Sequence, residues 1–261
     1  YTTLFRSAST LIQNGNSYWV GFFVALFAGA LLGALLDILV MRPLSNKKKT
    51  ELLSSESMRA AIPVIASLGI LGVLQALAGI IWAAEERGFP APAAQEGFTV
   101  AGSVMPFTSF DVFVISIVLV TLTMTTIFFK KTGVGLAMRA TALNQEVARL
   151  SGIRTNFTRT LSWAISGAAS SLAGLLITPT SNLSPNTLDL VLIIGFTAAV
   201  VGGLDSPAGA VLGGFILGLV ISFVTFYLSP EDVFLSILAV LLIVLIVKPR
   251  GILGGKDSRR V

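Results

Sequence analysis

The chain is 261 residues long, 54% hydrophobic and only 12% charged, with a mean hydropathy of +0.87. Ordinary globular domains carry about 25% charged residues, so 18 Lys and Arg with 13 Asp and Glu cannot clothe a water-exposed surface of this size. The solvent must be mostly lipid. Cys and His are absent, which excludes disulfides, thiol nucleophiles, imidazole bases and His-bound metals within this chain. The net charge of +5 reads as a topology signal rather than a mark of nucleic acid, because Lys and Arg collect on the cytoplasmic side of membrane spans.

The first seven residues, Tyr1 to Ser7, read Tyr-Thr-Thr-Leu-Phe-Arg-Ser. This string matches the translated end of a common sequencing adapter. It is expected to be non-biological, with the true start cut away, and is left out of the fold reasoning. Residues 8–261 are expected to form one transmembrane domain.

A span needs about 20 mostly apolar residues. Seven segments qualify in chain order. The first is Tyr18 to Val40, with Tyr18 and Trp19 as an interfacial aromatic anchor. It exits at Arg42-Pro43 and Lys47-Lys48-Lys49. The second, Ile62 to Ala84, leads through Glu85-Glu86 into a polar loop with Pro90, Pro92 and Pro106. The third is Phe110 to Phe129, ending at Lys130-Lys131. A polar stretch, Gly133 to Arg159, carries four arginines before the fourth span, Thr160 to Ile177. The fifth, Leu188 to Val201, is short. A turn over Gly202-Gly203-Leu204-Asp205-Ser206-Pro207 leads to the sixth, Ala208 to Leu228. An acidic turn, Ser229 to Asp232, precedes the seventh, Val233 to Val247, which ends at Lys248-Pro249-Arg250.

With the Lys47 loop inside and strict alternation, only Arg6 and Arg87 of the 18 basic residues fall outside. The C-terminus is then cytoplasmic. The fold class is therefore all-α: a polytopic membrane protein of about seven helices. Gly29/Gly33, Gly209/Gly213 and Gly214/Gly218 are small-xxx-small patterns. They are expected to pack helices within one subunit rather than to mark a dimer seam.

Little here can do covalent chemistry. No G-x-x-x-x-G-K-[ST] occurs, so the chain is expected to bind no nucleotide and to need no cofactor. Asp37, Asp111 and Asp189 approach lipid depth near span ends, where solvation or pairing is the expected state rather than proton relay. No metal ligand set and no catalytic residue is expected. The stretch Gly135 to Ile153 has apolar residues at near-helical spacing (Met138, Ala142, Leu143, Val147, Leu150). Asn144, Glu146 and Arg149 flank its polar side, and Gly152 is placed as a helix stop. An amphipathic helix between spans either lies on the lipid interface or plugs into a partner's groove.

These residues carry a resemblance. Ala137-Met138-Arg139-Ala140, then Asn144, Glu146, Ala148 and Ser151-Gly152-Ile153, resemble the coupling segment of permease subunits of branched-chain amino acid ABC transporters. The string from Ala199 to Gly214 is similar to that family's Gly-rich turn. Arg42-Pro43-Leu44 and Lys248-Pro249-Arg250-Gly251 also match in place and spacing. The resemblance covers roughly residues 16–255 and implies an importer permease in a bacterial or archaeal plasma (inner) membrane. Its implied partners are two ATP-binding subunits, a second permease subunit and an extracytoplasmic substrate-binding protein, besides membrane lipid. Arg139, Asn144, Glu146, Arg149 and Gly152 would meet the ATPase subunit. The family begins with an earlier span bearing an Asn-Phe-Ala-His-Gly-like motif, which is missing here, and usually has Glu where this chain has Asp37.

Branched-chain or other hydrophobic amino acids are the implied cargo, with urea, amides or sugars for related permeases. Ser166, Ser170, Gly195 and Thr197 are the small or polar groups expected along the path, although each also suits ordinary helix packing. The competing class is an ATP-independent transporter or channel, which would show internal repeats and mid-membrane ionisable residues. A membrane-embedded enzyme with a carboxylate-only site is the third.

Overall fold

A computed structural model describes residues 18–44, 56–82, 91–92, 97–100, 103–180, 187–204 and 206–254. Expectations for Tyr1 to Ser7, Lys47 to Lys49, Glu85 to Arg87, Pro90 and Asp205 lie outside these residues. Among the described residues, five helices are long and apolar enough to cross a membrane, and two shorter apolar helices accompany them. Every expected span thus coincides with an apolar helix. The chain forms two compact units, 1–187 and 188–261, and each is described by itself.

In the first unit, α1 (Tyr18–Leu36) runs on through a π-helical turn (Asp37–Met41) and a last α-turn (Arg42–Leu44). Helix α2 covers Glu56–Trp82. Within the expected polar loop, the β-rich runs Gly97–Val100 (β1) and Ser103–Thr108 (β2) pair as an antiparallel hairpin. Helix α3 (Ser109–Lys131) starts at a capping box: Asp111 N–H donates to Thr108 Oγ1 (3.1 Å), and Thr108 N–H donates to Asp111 Oδ2 (2.8 Å). Asp111 therefore completes a helix start, as its place near a span end suggests. Two short helices follow, α4 (Gly133–Leu143) and α5 (Gln145–Leu150). The fourth long helix, α6, covers Thr155–Ile177. It begins five residues before the expected span, because Thr155 to Arg159 extend the helix beyond its apolar part.

Lipid supplies no hydrophobic drive between helices, so close backbone approach must hold them. Helices α1 and α6 show this directly. A Cβ on Gly29 would run into Ser171, one on Gly33 into the Trp163 carbonyl, and one on Gly167 into the Gly29 carbonyl. The buried Ser171 hydroxyl also donates to Ala25 O (3.0 Å). Ala25 lies opposite Ser171, and Asp37 opposite Thr160, so the two helices run antiparallel. The Trp19 ring lies 6.2 Å from Phe113, which sets the starts of α1 and α3 side by side; the end of α3 leads through α4 to the start of α6, where Thr141 meets Thr158, so α1 and α3 run the same way. The expected aromatic anchor is therefore an inter-helix ring cluster as well. Hydroxyls inside the spans bond their own helix: Ser116, Thr121 and Thr123 donate to the carbonyls four residues back. That satisfies them without water.

In the second unit, α7 (Thr187–Gly202) and α8 (Pro207–Tyr227) form a helical hairpin, and a 3₁₀ turn (Pro230–Asp232) leads to α9 (Val233–Val247). Ser206 caps α8 by accepting from Gly209 N–H (3.0 Å), with Pro207 in the first turn. Added Cβ atoms on Gly202, Gly209 and Gly213 would strike backbone of the facing helix, whereas Gly218 faces open space. Two of the three small-residue patterns thus pack within the subunit. The tail then folds back. Ile252 N–H donates to Val201 O (2.8 Å), and Leu253 N–H donates to Gly202 O (2.9 Å). Both carbonyls are among those an α-helix leaves unpaired at its C-terminus. Gly203 (φ 109°) and Gly251 (φ 79°) make the two backbones meet.

The same substitution at two glycines tests this packing. Gly33→Ala is expected to lower unfolding stability in detergent micelles by about 1–3 kcal/mol through overpacking. Gly218→Ala is expected to change it by under about 1 kcal/mol, because nothing stands where the methyl goes.

Candidate functional site

The antiparallel and parallel relations above sort the charges of the first unit. The end of α1, the end of α3, the pair α4–α5 and the start of α6 all lie together. Arg42, Lys130, Lys131, Arg139, Arg149, Arg154 and Arg159 therefore gather at one end of the unit. The capping box of Asp111 and the aromatic cluster mark the other.

At the basic end, the expected continuous amphipathic helix is in fact two helices. Asn144 is not on a polar helix face. It is extended (φ −154°, ψ 108°), and its Oδ1 accepts from Glu146 N–H (3.0 Å) and Val147 N–H (3.1 Å) as the N-cap of α5. An Asn side chain satisfies orphan helix amides well, and here it outcompetes the continuing helix. The break resets the helical phase, so the expected apolar face is not one buried stripe. Met138 is buried, but Leu143 (89% exposed), Val147 and Leu150 (88%) face outward, and Ala148 is buried instead.

Both ends of the pair are firmly terminated. Thr132 closes α3 and opens α4: its hydroxyl donates to Phe128 O (2.6 Å) and accepts from Gly135 N–H (3.0 Å). At the far end Gly152 has φ 82°. Ile153 N–H donates to Ala148 O (3.0 Å) and Gly152 N–H to Arg149 O (3.1 Å), the paired bonds of a Schellman stop. Gly152 is thus the stop the sequence indicates. Glu146 lies in the first turn of α5 and Arg149 in the last, each with the charge that suits its end of the helix dipole.

The sequence-derived site residues fall into distinct groups. Asn144 and Gly152 shape α5, while Arg139, Glu146 and Arg149 are exposed around it. Ser166 and Ser170 lie one turn apart on the exposed face of α6, with Ala169 and Ala173 completing a strip of small side chains. In the second unit, Gly195 is exposed with open space beside it, whereas Thr197 is only 2% exposed and packed inside.

Sequence reasoning left one cluster unassembled. Asp37 is fully buried. Its Oδ1 lies 2.9 Å from Arg159 Nε, and its Oδ2 accepts from the Thr160 hydroxyl (2.6 Å) and from Arg42 Nε (3.4 Å). Arg42 Nη2 also donates to Thr160 Oγ1 (2.6 Å) and Asn156 O (3.3 Å). The acid is paired, as a span-end carboxylate should be, but across more than a hundred residues of sequence. Next to this cluster the Thr141 and Thr158 hydroxyls stand 3.2 Å apart and join α4 to α6.

A family model described as "Branched-chain amino acid transport system / permease component" matches residues 4–246. The chain belongs to that family. It is similar to the "High-affinity branched-chain amino acid transport system permease protein LivH" of Salmonella typhimurium, at 27% identity over all of this chain and 83% of that protein. It is also similar to the "Probable branched-chain amino acid transport permease protein LivH" of Methanocaldococcus jannaschii, at 36% identity over 48% of this chain and 42% of that protein. A third relative is the "Fructose import permease protein FruF" of Bifidobacterium longum, at 26% identity over 82% of this chain and 57% of that protein. No solved structure matches the chain significantly.

The left-handed stop can be tested locally. Gly152→Ala is expected to cost about 1–2 kcal/mol at that position. Amide exchange at Gly152 and Ile153 should then quicken roughly 5–30-fold, with the amides of α3 unchanged.

Proposed function

We propose that this chain is the membrane-spanning permease subunit of an ATP-driven importer of branched-chain amino acids. The observation that carries the reading is the exposed helical pair α4–α5 at the basic end of a family-matched permease. Lys and Arg mark cytoplasmic faces, which supports a cytoplasmic position for that end and for the pair with it. Leu143, Val147 and Leu150 offer apolar anchors for a partner groove, and Arg139, Glu146 and Arg149 form a charged rim. The occupant is an ATP-binding subunit, one on each of two paired permeases.

The permease itself is no enzyme in this reading. ATP binding closes the two ATPase subunits and displaces α4–α5, and the permease exchanges outward for inward access. A ligand bound elsewhere can bias such an equilibrium only through differential contacts with its two states. A short helix fixed at both ends, by Asn144 and by the Gly152 stop, passes on displacement better than a frayed one. Cargo arrives from an extracytoplasmic binding protein. Ser166 and Ser170, with Gly195 and Thr197 of the second unit, are the proposed path-lining groups. The exposure of the α6 strip supports the first two, and the burial of Thr197 gives it the weakest claim.

The fructose permease among the relatives supports a second cargo reading, a sugar. Competition separates the two: excess leucine, not fructose, is expected to block uptake in vesicles carrying the assembled complex. Uptake persisting without the ATPase subunits would instead select the ATP-independent class.

Val147→Pro removes one of the two amides that Asn144 caps and strains Glu146, so it is expected to loosen the first turn of α5 and lower uptake several-fold while the subunit still inserts. Glu146→Ala and Arg149→Ala are each expected to lower it several-fold. Normal uptake in all three variants would remove α5 from the coupling role. Ser170→Leu is expected to cut uptake about tenfold with ATP hydrolysis retained, as blocking a path rather than a partner contact should.

A further inference from the structure

The Asp37 cluster is not required merely to hold α1 against α6. Gly29, Gly33 and Gly167 already bring those backbones together, and Ser171 bonds across. Burying an ion pair is also a poor way to gain adhesion, since desolvation offsets most of the attraction. A charged, hydrogen-bonded cluster fixes direction and register instead.

The local backbone is built for that purpose. Two residues five apart lie about 140° apart around an α-helix, so Arg42 would not face Asp37 in a regular α1. The π-turn changes this. Arg42 N–H bonds to Asp37 O, five residues back, and the wider turn swings the Arg42 side chain onto the Asp37 face. Single π-turns inside helices are associated with functional positions.

The cluster also sits at a junction. Thr158, Arg159 and Thr160 are consecutive on the first turns of α6. Thr158 meets Thr141 of α4, while Arg159 and Thr160 hold Asp37 of α1. One short stretch of α6 therefore touches the proposed docking pair on one side and the first span on the other.

We infer that Asp37 is a positioning residue that ties α1 to the coupling pair, so that displacement of α4–α5 moves α1 together with α6. This rests on the importer reading above. Without the tie, the ATPase subunits still dock and cycle, but α1 no longer follows.

The test uses this chain assembled with its ATPase and binding-protein partners in proteoliposomes. ATP hydrolysis and leucine uptake are measured in the same preparation. Asp37→Asn keeps the shape and removes the charge. It is expected to leave the hydrolysis rate within about twofold and to lower leucine moved per ATP at least tenfold. Asp37→Glu is expected to recover most of that ratio. Thr160→Val, which removes one hydroxyl and leaves the ion pair, is expected to lower the ratio about threefold; it decides the matter if the Asn variant fails to insert. An unchanged ratio in the inserted variants overturns the inference. So does a parallel fall of hydrolysis and uptake, because that marks a role in folding or docking. Failure of the importer reading looks different: the unaltered complex would then take up leucine without ATP, or not at all.

Discussion

Everything in the first unit hangs on how closely α1 and α6 approach each other. In lipid, a Leu against another helix gains little over a Leu against acyl chains. What remains is dispersion between surfaces that fit and hydrogen bonds that cross. Both need backbone near backbone, and only residues without a Cβ allow it at Gly29, Gly33 and Gly167. Once that contact is made, Ser171 can reach the Ala25 carbonyl, and Asp37 can reach Arg159 and Thr160. The polar cluster follows from the packing.

The two ends of the unit then differ in character. One gathers aromatic rings and a helix-starting carboxylate. The other gathers basic side chains, a buried acid and a pair of short helices with outward apolar groups. The latter arrangement is unusual for a surface meant only for water. Leu143 and Leu150 are nearly fully exposed, yet α5 is well terminated at both ends. A well-ordered helix with exposed Leu side chains suits a partner better than bulk solvent.

The spans were legible in the sequence because hydropathy is a one-dimensional property, and each apolar run became an apolar helix. Gly152 was legible because a helix stop needs only its own neighbours. Asn144 was misread for an instructive reason. The apolar spacing from Met138 to Leu150 ran through it without a visible gap, so periodicity outvoted capping chemistry. The signal was present: an Asn with an acidic residue in the turn that follows is a helix-start pattern. The hairpin before α3 was also hidden, its short β-rich runs lying in a Pro-containing loop. The Asp37 cluster was out of reach altogether. Its members are separated by 114 to 123 residues between the two helices, and nothing in either segment names the other.

The returning tail has a consequence in time rather than in space. A polypeptide is made from its N-terminus, and α7 reaches the translocation machinery before the residues that complete it. The amides that close α7 belong to Ile252 and Leu253, about fifty residues later. At roughly 5–20 residues per second this is a wait of about 3–10 s. During that interval the last carbonyls of α7 need water or another donor, so that end of the helix is expected to stay near the interface until Ile252 and Leu253 arrive. The end of α7 is thus closed several seconds after the helix itself is made.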